Sequence, residues 1–163
     1  MPIYMHLEGL EGEVTTKGHE KWIEVLSAQF GVARSIPSGG KDVNRVRGES
    51  SLSDYIVSRD MDKSSVKLWE NCCKGEPIKK VKIDYCTTVK DKQEPYLQIE
   101  LENCFISSYS SSAAGGGGES RPSESCGINF ISMSATYITV DPETGATKGN
   151  VPAKYTPGAG KSG

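Results

Sequence analysis

Apolar and polar positions alternate along much of this chain, and that pattern predicts strands. In Tyr-Leu-Gln-Ile-Glu-Leu-Glu-Asn-Cys-Phe-Ile, residues 96–106, Leu97, Ile99 and Leu101 share one parity while Gln98, Glu100 and Glu102 share the other. That is the period of two of a half-buried strand. After Asn103 the apolar parity slips to Cys104 and Ile106. Such a slip predicts a bulge or a strand crossing between two faces of a barrel, because one inserted residue reverses which side chains point inward. A second long strand is predicted over residues 126–140, with Ile128, Phe130 and Ile138 on one parity and Ile131, Met133, Ala135 and Tyr137 on the other. A strand apolar on both parities requires cover on both sides: a core on one, and on the other a partner subunit.

The remaining elements are read as packing around this pair. Ile3, Met5 and Leu7 alternate with Tyr4, His6 and Glu8, and residues 22–32 carry the β-branched and aromatic content of a strand. Residues 33–50 turn to Ser, Gly, Pro and charge, a loop longer than the usual connection and hence a functional candidate. Residues 52–61 predict a third strand. One helix is predicted over about residues 64–73, with Asp62 or Ser64 as N-cap and Gly75 as left-handed C-terminal residue. Its expected apolar stripe is Val66, Trp69, Cys72 and Cys73, with Leu68 at the edge, and this stripe is expected to plug one barrel mouth. Val81 to Val89 alternates cleanly. Residues 141–163, rich in Pro and Gly, are expected to form a flexible tail beyond a domain of residues 1–140.

Length and charge narrow the functional classes. At 163 residues the chain suits one domain, and with 19 basic and 21 acidic residues its net charge of −2 gives no global pull toward nucleic acid or anionic lipid. No window has the apolar length of a membrane helix, and the N-terminus lacks the pattern of a cleavable signal. Five cysteines, an odd number lying mostly in apolar elements, fit reduced packing residues. Catalytic and cofactor chemistry finds no footing. Gly115 to Gly118 follows a strand but has no Lys-Ser/Thr opening a helix behind it, so it reads as a flexible loop. Cys72 and Cys73 are adjacent, without the spacing of a zinc site. His6 is read as a strand-surface residue and His19 as a loop residue, neither beside a nucleophile pattern. No metal, no cofactor and no catalytic residue is expected. A long loop and a strand with two apolar parities point instead to assembly.

The ordered succession Phe105-Ile-Ser-Ser-Tyr-Ser-Ser-Ser, a Gly-rich tract, Arg121-Pro-Ser-Glu-Ser-Cys-Gly-Ile-Asn-Phe and Tyr137 resembles the C-terminal part of the haemolysin-coregulated protein (Hcp) family, the tube subunit of bacterial type VI secretion. Upstream, residues 52–61, Asp62-Lys-Ser-Ser, Leu68, Gly75 and the alternating strand follow the same order, so the likeness spans roughly residues 2–140. The resemblance implies a mainly β fold, a small β-barrel of two antiparallel sheets with one helix at its side. It also implies a homohexameric ring, rings stacked into a hollow tube, and effector proteins carried in the lumen, with sheath and spike components as further partners. Such a protein is cytoplasmic before assembly and is then secreted without a cleavable signal. By the same resemblance the loop of residues 33–50 is the arm that touches a neighbouring subunit or ring, and Ser111, Ser112, Ala113, Ala114, Gly115 and Gly116 border the lumen. Candidate subunit or ring contacts are Ile36, Val43, Val46, Ile99, Ile131 and Met133. A tail tube or adaptor protein of the same fold, and a small-ligand-binding barrel, are the competing readings.

Overall fold

A computed structural model describes residues 1–36, 48–118 and 120–157. Its strands are β1 (Ile3–Leu7), β2 (Ile23–Val25), β3 (Ser27–Gln29), β4 (Val32–Arg34), β5 (Ser50–Leu52) and β6 (Tyr55–Asp60). After helix α1 (Ser65–Lys74) come β7 (Ile78–Val89), β8 (Lys92–Ser112), β9 (Ser123–Asn129), β10 (Ser132–Val140) and β11 (Thr147–Tyr155). The mainly β expectation holds. All the pairings are antiparallel.

The long strand β8 is the spine, and the parity slip has the predicted consequence. Up to Cys104 it pairs with β7, and with β10 over Leu97–Glu102; from Phe105 onward it pairs with β9. Asn103 sits at φ +53°, a left-handed kink at the point where the strand passes from one sheet to the other. One sheet therefore runs β2-β1-β7-β8 with β10 and β11 beside it, and the other runs β8-β9-β6-β3. Apolar residues from both meet in one core: Met5, Leu7, Ile23, Val57, Leu68, Val81, Ile83, Leu101 and Ile128 are fully enclosed.

The expected barrel is not closed: β2 and β3 share no ladder. The two ends of the strand order, β2 and β3, are successive pieces of one segment broken at Leu26, whose N–H donates to Ser58 O at 2.8 Å while its side chain stays exposed. A one-residue break lets the segment pair with β1 before it and β6 after it, so the two sheets are joined there by the chain alone. The predicted strand of residues 126–140 is likewise two strands. The chain breaks at Phe130 and Ile131, β9 joining one sheet and β10 the other, so its two apolar parities are two faces of two strands.

Helix α1 ends as predicted, with Gly75 at φ +66° and its N–H donating to Asn71 O at 2.8 Å. Of the two candidates at its N-terminus, Ser64 makes no side-chain cap, and Asp62 Oδ1 accepts the Ser64 N–H at 2.7 Å. The buried face differs, since Ser65 and Leu68 are enclosed and Cys72 partly so, whereas Val66, Trp69 and Cys73 look outward. Ser65 decides this rotation: its hydroxyl is held by Arg59 and Glu124 in the interior, and a helix that buries Ser65 buries Leu68 and Cys72 with it.

The last strand departs from the flexible-tail expectation. β11 pairs with β10 from Met133↔Tyr155 to Val140↔Thr147. It has no buried residue, so it is held by the backbone ladder and not by a core of its own. Apolar content was therefore the wrong test for it. The turn before it is organised by Asp141, whose carboxylate accepts the N–H groups of Glu143 and Thr144 and meets Lys148 at 2.9 Å. Those contacts, Lys148 first, hold its pKa below the ordinary carboxylate value.

Candidate assembly surface

Two interior clusters bring together polar groups that the sequence reading left apart. His19 lies in a loop, as expected, but is buried: its ring stacks on Tyr4 at 4.7 Å, meets the edge of Trp22, and places Nε2 2.9 Å from Asp84 Oδ2. Cys86 Sγ is 3.9 Å from that same nitrogen. A Cys-His-Asp relay needs one ring nitrogen for the nucleophile and the other for the orienting carboxylate. Here Nε2 faces both, Nδ1 has no hydrogen-bond partner, and Cys86 is fully enclosed. Burial, then the Asp84 charge, pushes the Cys86 thiol up to about 12, which keeps it protonated and inert at neutral pH. The cluster pins the loop to the sheet.

The second cluster centres on Arg59 of β6, whose side chain and that of Glu124 on β9 are both 1% exposed and form an ion pair. Arg59 Nη2 also donates to Ser65 Oγ at 2.9 Å. Nη1 lies 3.1 Å from Asp62 Oδ1, within ion-pair distance but without the alignment of a hydrogen bond. Tyr109 donates its hydroxyl to Glu124 at 2.6 Å, and burial, followed by that bond and charge, pushes its pKa up to about 12. Four elements, β6, α1, β8 and β9, meet on this ion pair. Its role is to hold them in register.

The surface carries the more informative feature. On β10, Met133, Ala135 and Tyr137 stand opposite Leu101, Ile99 and Leu97 of β8, the strand's core parity. On the other side they stand opposite Tyr155, Ala153 and Val151 of β11. Directly paired residues share a face. The core face of the sheet therefore runs on beyond the core, and Val151 is 65% exposed, Tyr137 50% and Tyr155 41%.

Facing it is an arm. β4 and β5 form a separate two-stranded ribbon, with no ladder to the main sheet. Arg34 closes it by donating to Gly48 O at 3.0 Å. Between ribbon and β10–β11 lies a groove of about 480 Å³, lined by Phe30, Val32 and Leu52 on one wall and Met133, Ala135 and Tyr155 on the other. The arm itself exposes Val32 and Ile36, each at least 60% accessible.

The predicted contact residues distribute unevenly over this geometry. Ile36 is on the arm and exposed, Ile131 is exposed in the β9–β10 break, and Met133 lines the groove. Ile99 is 3% exposed and belongs to the core, so it packs inside its own subunit. Val43 and Val46 lie outside the described residues. Ser111 and Ser112 are the exposed end of β8, opposite Glu124 and Ser123, and Ala113, Ala114, Gly115 and Gly116 continue as an exposed connection toward β9. A side chain added at Gly115 or Gly116 would meet nothing within 4 Å. The sequence reading missed Val32, Leu52, Val151 and Tyr155. The signal was present in Val151-Pro-Ala-Lys-Tyr155, where Val151, Ala153 and Tyr155 alternate with period two.

Among the described residues there is no metal-binding group of His, Cys, Asp and Glu, and no helix is long and apolar enough to cross a membrane. The arrangement is that of a β protein with an exposed apolar face beside a groove. The family model for the type VI secretion system effector, Hcp, matches residues 4–137. Protein hcp1 of Pseudomonas aeruginosa is 27% identical over 153 residues, which cover 94% of this chain and 91% of that protein. A solved type six secretion system protein superposes with a TM-score of 0.86 at 27% identity, over 95% of this chain and 94% of that one. A type VI secretion system effector from Yersinia pestis shares the fold with a TM-score of 0.74 at 24% identity, over 94% of this chain and 98% of that one. This chain belongs to the Hcp family of type VI secretion.

Proposed function

We propose that the protein is the tube subunit of a type VI secretion system, closing into hexameric rings that stack into a hollow tube and carry effector proteins in the lumen. The observation that carries this reading is the core-parity face of β10 and β11 extending past the core, with Val151, Tyr137 and Tyr155 exposed and the arm's Val32 and Ile36 beside them. Exposed apolar surface that is continuous with a core marks a protein contact. A head-to-tail contact between unlike faces closes into a ring when its rotation permits. Each contact should bury at least about 1,000 Å² in total. In this reading the connection Ser111–Gly116 borders the lumen, where short side chains admit varied cargo. The protein acts structurally, not as an enzyme. It is made in the cytoplasm and leaves with the tube, driven by sheath and spike components.

Light scattering after size exclusion under reducing conditions, with negative-stain imaging of the same peak, tests the assembly. A mass near six subunits with ring-shaped particles is expected, and a monomer at every accessible concentration would overturn the reading. Val151→Asp sharpens the test, because an exposed position tolerates charge in the folded subunit but not in a buried interface. The variant should fold and stay monomeric. Sheath-dependent appearance outside the native cell separates a secretion tube from a tail tube of the same fold.

A further inference from the structure

The arm and the groove beneath it have a property that ring formation by itself does not require. The β4–β5 ribbon shares no ladder with the body of the protein. At its root, the Gly31 N–H donates to Ser53 Oγ at 2.7 Å and the Ser53 N–H donates to Gly31 O at 2.9 Å. There too Phe30 stacks on the enclosed Tyr55 at 5.3 Å. Further out the arm meets the body through an exposed hydrogen bond between Ser50 Oγ and the Tyr155 hydroxyl, 2.7 Å long. Between root and tip the apolar walls stand apart around about 480 Å³. Dispersion falls off steeply across such a gap, so the two walls hold each other weakly.

We propose that the β4–β5 arm is a strap: in the unassembled subunit it lies over the apolar β10–β11 face, latched by Ser50 and Tyr155, and it swings on its Gly31–Ser53 root when a second copy takes that face. The proposal rests on the reading of β10–β11 as a subunit contact. The strap screens the Met133 and Ala135 part of that face, which would otherwise promote indiscriminate association before assembly, while Val151 and Tyr137 stay exposed. A latch made of one neutral, solvent-exposed hydrogen bond suits a part that must open, because the net value of such a bond is small.

The latch predicts its own readout on the free subunit. In a chain carrying Cys72→Ser and Cys73→Ser to remove the half-buried and the exposed thiol, Ala135→Cys places a label site in the groove wall, to be probed with a bulky maleimide at protein concentrations too low for assembly. Tyr155→Phe and Ser50→Ala should each raise the labelling rate several-fold, and the double variant should add nothing further, because both remove the same bond. Unchanged labelling, or additive effects, would overturn the strap. A flexible bis-maleimide joining Val32→Cys to Ala153→Cys, both groove-lining positions, should hold the arm down and prevent assembly of a chain that assembles when left unlinked. Assembly of the linked chain would equally overturn the proposal. Failure of the unlinked parent to assemble would count against the ring reading, while the labelling result would still decide whether the arm is latched.

Discussion

Replacing Arg59 by methionine removes one partner from the most deeply buried ion pair in the described protein, and the cost follows from what is left behind. The Glu124 carboxylate, 1% exposed, keeps only the hydroxyl of Tyr109, at 2.6 Å, and that of Ser65, at 3.1 Å. A buried charge stripped of its counter-ion costs about 3–5 kcal/mol, a large part of the roughly 5–15 kcal/mol that holds a domain together. With a urea slope of about 2 kcal/mol/M, the midpoint of unfolding should fall by about 1.5–2.5 M. The measurement is equilibrium urea unfolding followed by tryptophan fluorescence, at fixed protomer concentration so that assembly contributes equally to both proteins. Trp69 lies on α1 and Trp22 beside His19, so the two report on different elements of the fold. The companion variant Arg59→Met/Glu124→Leu should recover much of the loss, since an apolar pair in place of a buried ion pair is often neutral. A midpoint shift below about 0.5 M for Arg59→Met, or a double variant as unstable as the sum of the singles, would refute the assignment of this pair as the joint between β6, α1 and β9.

Other expected outcomes follow from single residues. Ile99→Asp should abolish soluble expression because position 99 is core, whereas Ile131→Asp should yield a folded subunit, separable by circular dichroism and size exclusion. Gly75→Val should cost about 1–2 kcal/mol in thermal or urea unfolding, the penalty for an L-residue at φ +66°. Alkaline pH should weaken the fold. Burial holds Cys86, Cys104 and Cys126 at about 12 against an ordinary 9.0, and Tyr109 at about 12 against 10.0. The unfolded chain then loses protons first, so stability is full below about pH 9 and is lost as pH rises toward 12. A melting temperature flat from pH 8 to 11 under reducing conditions would contradict this. Deleting residues 156–163, beyond β11, should leave ring formation unchanged by light scattering.

What was legible in the sequence was whatever period two writes directly. The β8 alternation and its slip at Asn103 located the passage between sheets, because the parity of a strand is fixed by which face meets the core. Residues 126–140 misled for the same reason. Two strands in two sheets, joined by a two-residue break without Gly or Pro, write the same letters as one strand apolar on both sides. The helix boundaries were readable from Gly75, but the buried face was not. Val66, Trp69 and Cys73 are the more apolar choice by composition, and the outcome was set by Ser65 meeting Arg59 of the preceding strand and Glu124, 59 positions further on. Long-range polar pairings of that kind leave no local period. His19 and Asp84, 65 positions apart, are the second case.

The same distinction explains why the candidate assembly surface is only half legible. Met133 is legible because residues 126–140 carry apolar residues on both parities, whereas Val151 and Tyr155 fall in a Pro- and Gly-rich stretch that reads as a tail, and β11 buries nothing of its own. A strand with no buried residue is hard to justify within one subunit, since its ladder gains little over hydrogen bonding to water. Its alternation of Val151, Ala153 and Tyr155 gains a purpose once another surface covers it. In the proposed ring, the apolar parity that β11 leaves open is covered by another subunit. On that argument β11 should be less protected from amide exchange than β1 or β7 in the isolated subunit, and should approach them in the assembled ring. Equal protection of β11 in both states would remove it from the interface.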